Sequence, residues 1–288
     1  MSFSQNVKEE LGRHMSAARH CQLAELAAIM HFCGQIGLDK NGKYTIGFQT
    51  ENETVSRKGF TLLKKTYNIN TDVEIGEEQM REIFSTLGDL DEPVSPLLIK
   101  NSCCQRAFLR GAFLSVGSLS DPSKGYHLEF VCTDEKKAGQ LQSVLQGFGI
   151  DGKIVLRKKY HVVYLKEGES IVDLLNVCEA HVALMEFENL RILKEMRNSI
   201  NRRVNCEAAN ITKTVNAATR QIEDIEYIRD HGGLQRLPQN LREMAEVRLE
   251  YPEASLKELG ECLEPPVGKS GVNHRLRKLS EFAEKLRM

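Results

Sequence analysis

Two stretches of this 288-residue chain repeat one order of elements at a nearly fixed offset, which limits the fold more than any other feature. The first stretch carries an apolar periodic segment over about 7–32. Leu11, Leu23, Leu26, Ala27, Met30 and Cys33 fall at helical spacing, which stops at Gly34 and Gly37. Tyr44, Ile46 and Phe48 then alternate as a half-buried strand, and Val55, Phe60, Leu63 and Tyr67 return to helical spacing. In the second stretch Phe108 to Val116 reads as helix and Gly117 stops it. Tyr126, Leu128 and Phe130 alternate, and Leu141, Val144, Leu145 and Phe148 resume the helix. Gly34 and Gly117 lie 83 residues apart, Tyr44 and Tyr126 82 apart. One α+β unit written twice follows, the alternative being a chance likeness of two ordinary segments.

The second copy continues with Ile154 and Leu156, then Tyr160, Val162 and Tyr164 across Lys158 and Lys159, a hairpin pattern. An antiparallel sheet with helices on one face is the layer arrangement this order favours. The acidic stretch from Asp72 to Glu92 has a weaker strand signal, so the first copy is expected to be irregular there. Within "QRAFLRGAFLSVGSLSDP" the small residues Gly111, Ala112, Ser115 and Gly117 sit in a run otherwise built for a core. Close helix approach explains them, and so does ordinary packing.

From Ile171 a long helical region begins, with Val182, Met185, Leu190, Leu193 and Met196 expected to pack on the sheet or a neighbouring helix. Helix is also read over 206–228 from Ile211, Val215, Ala218, Ile222 and Ile225. Gly232, Gly233 and Pro238 break the pattern, and a new domain starts there. In this last unit Leu241, Met244, Ala245 and Leu249 share a helix face that Pro252 ends. Ser255 with Glu258 forms a capping box before Leu256, Leu259 and Leu263, and Pro265, Pro266 and Gly268 force a turn. Ser270 is expected to cap the third helix. On it Val272, Leu276 and Leu279 span about 60° of arc, which turns Asn273, His274, Arg277 and Lys278 outward.

Three short helices with a basic, amide-bearing last one fit a helix-turn-helix that reads the DNA major groove. Lys269, Ser270, Asn273, His274, Arg275, Arg277 and Lys278 are the candidate contacts, with Ser270 and the first free N–H groups placed for a phosphate. A protein-docking helical module and plain structural packing are the other readings, and the turn over 264–269 is longer than the usual ~3–4 residues. Charge distribution supports an anionic partner where the net charge of −1 does not. Arg191 to Arg220 holds seven Lys or Arg against Glu195 and Glu207, and the last twenty residues are basic. Lys153, Arg157, Lys158, Lys159 and Lys166 are further candidate phosphate contacts, equally readable as a solvated strand face. Arg202 and Arg203 in "NRRVNCEAAN" are candidates too, beside a structural docking role for its amides.

Other chemistry finds little support. "PPVGKSG" lacks the earlier glycine of a phosphate-binding loop, and the eight His show no ligand spacing. The eight Cys are scattered without a CxxC pair, which reads as buried thiols in a reducing compartment and not as a disulfide scaffold or zinc site. No cofactor is expected. The polar N-terminus and the absence of an apolar run near ~20 residues point away from a membrane and toward the cytoplasm. The lack of Trp disfavours a stacking platform for single strands.

The segments "CCQRAFLRGAFLSVGSLSDP", "GYHLEF", "NRRVNCEAANITKTVNAATRQIEDIEYI" and "SLKELGECLEPPVGKSGVNHRLRKL" resemble signatures of the WhiA family of Gram-positive sporulation and cell-division regulators, over essentially the whole chain. The resemblance implies an N-terminal region similar to LAGLIDADG homing endonucleases and a C-terminal helix-turn-helix similar to that of sigma factors. In the endonucleases two such helices pack at a pseudo-two-fold axis, and an acid before each terminal glycine holds metal at the scissile phosphate. Matched here, the motifs are Leu26 to Gly34 and Leu109 to Gly117, with Ala27, Ala28, Gly111 and Ala112 at the close contact. The metal-binding positions carry Cys33 and Val116, and a hard cation such as Mg²⁺ finds no oxygen ligand on either.

The fold class expected is therefore α+β: a duplicated LAGLIDADG-like scaffold followed by an all-α helix-turn-helix domain. The first repeat covers 1–95, the second 96–197, a helical linker 198–232 and the DNA-binding domain 233–288. The function expected is a non-catalytic, sequence-specific regulator of transcription, nucleoid-associated and bound to double-stranded DNA, with RNA polymerase or other regulators as candidate further partners. A scaffold docking the transcription machinery is the runner-up, and a residual metal-dependent nuclease the third reading.

Overall fold

The computed structural model describes residues 2–40, 43–69 and 75–288; Asp72 and Glu74 of the acidic stretch lie outside them. The chain separates into two units, Met1–Met196 and Arg197–Met288.

In the first unit the initial apolar segment is two helices, α1 (Phe3–Arg13) and α2 (Arg19–Cys33), not one. The polar look of residues 2–10 hides an amphipathic helix: Phe3, Val7 and Leu11 recur every four residues and are buried. The chain then passes directly from α2 into β1 (Gly34–Leu38), which pairs antiparallel with β2 (Tyr44–Phe48), Ile36 opposite Ile46. Next come α3 (Glu53–Tyr67), opened by the Asn52 side chain, and α4 (Glu77–Leu87). The described part of the acidic stretch is thus largely a helix, its inner face Met80, Ile83 and Leu87.

The second repeat runs α5 (Ser102–Val116), β3 (Gly117–Leu119), β4 (Leu128–Cys132), α6 (Glu135–Gly147), β5 (Lys153–Arg157) and β6 (Tyr160–Leu165). Its strands form one antiparallel sheet in the order β3-β4-β6-β5. The β5–β6 hairpin turns at Lys158, whose φ of 58° lies in the left-handed region. One sheet face, with Leu128, Phe130, Val163 and Leu165, packs on α5 and α6.

After α7 (Gly168–Val177) comes α8, His181–His231. The Glu10 carboxylate accepts from the Val182 and Ala183 N–H groups at 2.8 and 2.9 Å, a negative charge at the positive end of a helix. The buried face here is Ala183 and Phe187, the latter against Phe3 and Tyr126. Val182, Met185, Leu193 and Met196, expected to pack inward, are exposed.

The second unit holds the rest of α8, then α9 (Gln239–Glu250), α10 (Leu256–Glu261) and α11 (Lys269–Arg287). Ile225 and Ile228 of α8 join Leu241, Met244, Leu259, Leu263, Val272, Leu276 and Leu279 in one core, while Ile211 and Val215, on the same periodic face, are exposed. Ser255 and Glu258 close the capping box in both directions, at 3.4 and 2.7 Å. Gly260 lets the turn fold back onto α10: a Cβ there would lie 2.0 Å from the Val267 carbonyl oxygen, and the Gly260 carbonyl accepts from Val267 N–H at 2.9 Å.

Candidate nucleic-acid interface

Two places bear on nucleic acid, the paired helices of the first unit and the outer face of α11. Among the described residues the α2–α5 pair makes the largest helix contact. Gly111 sets its closeness. A Cβ there would stand 2.5 Å from the Glu25 carbonyl oxygen and 2.8 Å from the Ala28 methyl. Beside this crossing lies a buried ion network that periodicity does not reveal. Glu25 Oε1 lies 3.1 Å from Lys58 Nζ and 3.3 Å from Arg110 Nε, all three side chains nearly solvent-free. Arg110 also reaches Glu179 at 2.7 Å and donates to Ser16 at 2.8 Å, while His14 meets Glu179 at 2.9 Å. Two anions and two cations balance in number, but burial still pushes the Glu25 carboxyl up and the Lys58 ammonium down.

At the C-terminal ends of α2 and α5, where the endonuclease pattern places its acids, the chain offers Cys33, half-buried Val116 and their neighbours Ser115 and Lys8. Burial pushes the Cys33 thiol up and the Lys8 ammonium down. An open cleft of about 780 Å³ begins here, with Lys8, Glu9, Glu51, Glu53 and Ser115 among its walls. Its three glutamates do not belong to any set of three or more described ligand atoms close enough to share a metal. Among the described residues, the single set of three or more His, Cys, Asp or Glu ligand atoms close enough to share a metal lies at the other end of these helices.

On the sheet, Lys153, Arg157, Lys158, Lys159 and Lys166 are all exposed. Arg157 is paired with Glu129 at 3.0 Å, whereas Lys159 and Lys166 lie over the rings of Tyr160 and Tyr164 at 5.4 and 5.1 Å. Arg202 and Arg203 are exposed on α8, Arg202 donating to the Asn198 carbonyl at 3.3 Å.

In the second unit Val272, Leu276 and Leu279 seat α11 in the core, and Lys269, Ser270, Asn273, His274, Arg277 and Lys278 stand exposed on its outer side. Ser270 does not cap the helix. The cap residue is Gly268, which has no side chain to offer, so Ser270 sits in the first turn and the leading N–H groups stay available to an anion. Arg275 is half-buried and leans to the Asn240 carbonyl at 3.5 Å. Arg277 pairs with Glu281 at 3.3 Å, an exposed i,i+4 contact weak enough for a phosphate or guanine to displace. Arg248, which sequence reasoning passed over, is buried and donates to the Ala254 carbonyl at 2.7 Å, fixing α9 to the loop before α10.

Three family descriptions match this chain: the WhiA N-terminal LAGLIDADG-like domain over 19–82, the WhiA LAGLIDADG-like domain over 105–197 and the WhiA C-terminal HTH domain over 200–283. A protein of Lachnoclostridium phytofermentans named "Probable cell division protein WhiA" is 54% identical, with all of both chains covered. The chain belongs to the WhiA family. A second relative of the same name, from Alkaliphilus oremlandii, is 50% identical over 99% of this chain and 98% of its own. The crystal structure of a full-length WhiA from Thermatoga maritima superposes over 99% of each chain with a TM-score of 0.61 at 27% identity. Duplicated LAGLIDADG-like domains followed by a helix-turn-helix are thus the WhiA architecture of this chain, and the internal repeat is that duplication.

Proposed function

We propose that this WhiA chain is a non-catalytic, sequence-specific regulator that binds double-stranded DNA through α11 and acts on genes of cell division and chromosome segregation, and of sporulation in organisms that sporulate. The observation that carries the reading is the outer face of α11, with amide, imidazole and guanidinium groups above a packed apolar stripe and an uncapped, anion-ready first turn. In the major groove Asn273 and Arg277 reach base edges, and Lys269, Ser270 and Lys278 hold phosphates. The names of the close relatives support the cell-division role. Cys33 and Val116 support the non-catalytic part, since neither supplies the anionic oxygen that metal-assisted phosphodiester hydrolysis uses. Division into repeats over 1–95 and 96–197, a helical segment over 198–232 and a reading domain over 233–288 belongs to the proposal, as does a place on the nucleoid.

The test is selection of genomic fragments by the full-length chain at about 150 mM salt, in parallel with an Asn273→Ala, Arg277→Ala variant. Discrete fragments retained by the wild type and lost by the variant are expected. Equal retention by both would remove α11 from the reading role. Stable capture of RNA polymerase without DNA would favour a scaffold, and Mg²⁺-dependent plasmid cutting that survives further purification a nuclease.

A further inference from the structure

The scattered cysteines of the sequence are not scattered in space. His20 and Cys21 occupy the first turn of α2, Cys103 and Cys104 the first turn of α5, and the close approach of those helices brings the two pairs together. His20 Nδ1 lies 3.2 Å from Cys104 Sγ and 3.4 Å from Cys21 Sγ, and all four ligand atoms fall within 4.8 Å of one another. Read along the chain these thiols are scattered and no zinc site is named among them, since spacing there does not reveal this grouping. The repeat explains it: the 83-residue offset that carries Gly34 onto Gly117 also carries His20 onto Cys103 and Cys21 onto Cys104. Equivalent positions of two repeats meet at the junction, so each repeat supplies half of one constellation.

We propose that His20, Cys21, Cys103 and Cys104 bind a single soft divalent cation, Zn(II), which clamps together the N-terminal ends of the two central helices. Three sulfurs and one imidazole are the donor set of a closed, tetrahedral structural zinc site. Metal–ligand bonds of about 2.0–2.3 Å require ligand–ligand edges of about 3.5–3.8 Å in a tetrahedron. The observed spacings bracket those edges, so small side-chain rotations complete the shell. A two-iron cluster spreads its ligand pairs over two metals and would need a wider set. The helix ends favour thiolate as well. Neither α2 nor α5 has a side-chain cap, and the positive ends of both helices face the sulfurs.

Without a cation the grouping has little to hold it. Three neutral thiols make only weak hydrogen bonds. As Zn(II) binds, each coordinating thiol releases its proton to solvent, so affinity rises with pH. Cys103 and His20 are exposed and Cys21 and Cys104 buried, which gives the ion a path from solvent to a site closed on its inner side.

The test uses full-length protein, purified under reducing conditions from zinc-replete cells and assayed for metal. About one zinc per chain is expected. After chelation, Co(II) added anaerobically should give the thiolate-to-cobalt charge-transfer band and the visible bands of a tetrahedral, sulfur-rich ion. Cys103→Ser and His20→Ala, both at exposed positions, should weaken binding by at least ~100-fold, since even outer-shell partners are worth ~10–100-fold. Cys206→Ser and Cys262→Ser, at exposed thiols outside the set, should leave it unchanged. Far-ultraviolet dichroism checks that each variant folds. Sub-stoichiometric zinc with no tetrahedral cobalt spectrum overturns the proposal. So does a spectrum retained in folded Cys103→Ser and His20→Ala, a disulfide joining α2 to α5 in metal-free protein, or iron with labile sulfide in place of zinc.

Discussion

Replacing Gly111 by alanine adds one methyl group at the tightest point between α2 and α5. The new Cβ would sit 2.5 Å from the Glu25 carbonyl oxygen and 2.8 Å from the Ala28 methyl, where ordinary contacts begin near 3.4 Å. Neither obstacle can rotate away, one being backbone and the other a Cβ, so the helices must separate by roughly 1 Å. Such overpacking costs about 1–3 kcal/mol, and the upper end applies because the Glu25–Lys58–Arg110 network is anchored on the displaced backbone. Against this, alanine in place of glycine within a helix gains about 1 kcal/mol. The net loss is about 2 kcal/mol, which for a unit of this size lowers the melting temperature by roughly 4–8 °C. Gly139 is the internal control, since it lies inside α6 with nothing within 4 Å of its would-be Cβ. Scanning calorimetry of the full-length chain should show the first unit's transition falling in Gly111→Ala and rising slightly in Gly139→Ala. A Gly111→Ala protein as stable as the Gly139→Ala protein would refute the close-contact argument.

Other predictions follow from the same geometry. Burial, then the Arg110 charge, holds the His14 imidazole below its ordinary value, so the unfolded chain takes up a proton before the folded one does. Stability contributed at His14 is therefore intact above about pH 6.5 and falls as acid is added below it; urea midpoints between about pH 7.5 and 5.5 should drop less in His14→Gln than in wild type. Asn273→Ala or Arg277→Ala should lose about 1–3 kcal/mol on cognate sites with little change elsewhere, whereas Lys278→Ala should weaken all sites alike, measured by fluorescence anisotropy on matched duplexes. Lys153→Ala with Lys166→Ala should lower the magnitude of the log-log salt slope by roughly 0.9 for each phosphate no longer engaged, provided that the second repeat's sheet lies on DNA.

The repeat was legible because each central helix ends at a glycine that opens a strand, so two helix stops and two strand starts recur in step. The β5–β6 hairpin and the capping box of α10 were legible from local chemistry. β1 was missed because it follows α2 with no intervening polar turn, and α4 because the acidic surface residues drew attention from Met80, Ile83 and Leu87. The break between α1 and α2 sits in residues of no special turn chemistry. Long-range pairing accounts for the larger misses. The Glu25–Lys58–Arg110 network joins three helices, and periodicity marks charged residues as surface whether or not a partner buries them. The thiol–imidazole set was within reach, since the repeat offset aligned Cys21 with Cys104 once the central helices were paired. At α11 the outward residues came from arc alone, while Arg275's lean toward α9 depends on packing that arc does not encode.

The most direct test of the account is chromosome occupancy in cells carrying either the wild-type chain or the Asn273→Ala, Arg277→Ala variant at equal abundance, with sequencing of the bound DNA. Discrete peaks sharing one sequence pattern, intact DNA beneath them and their disappearance in the variant are the predicted result. An unchanged peak map in the variant, or strand breaks concentrated at the bound sites, would contradict it.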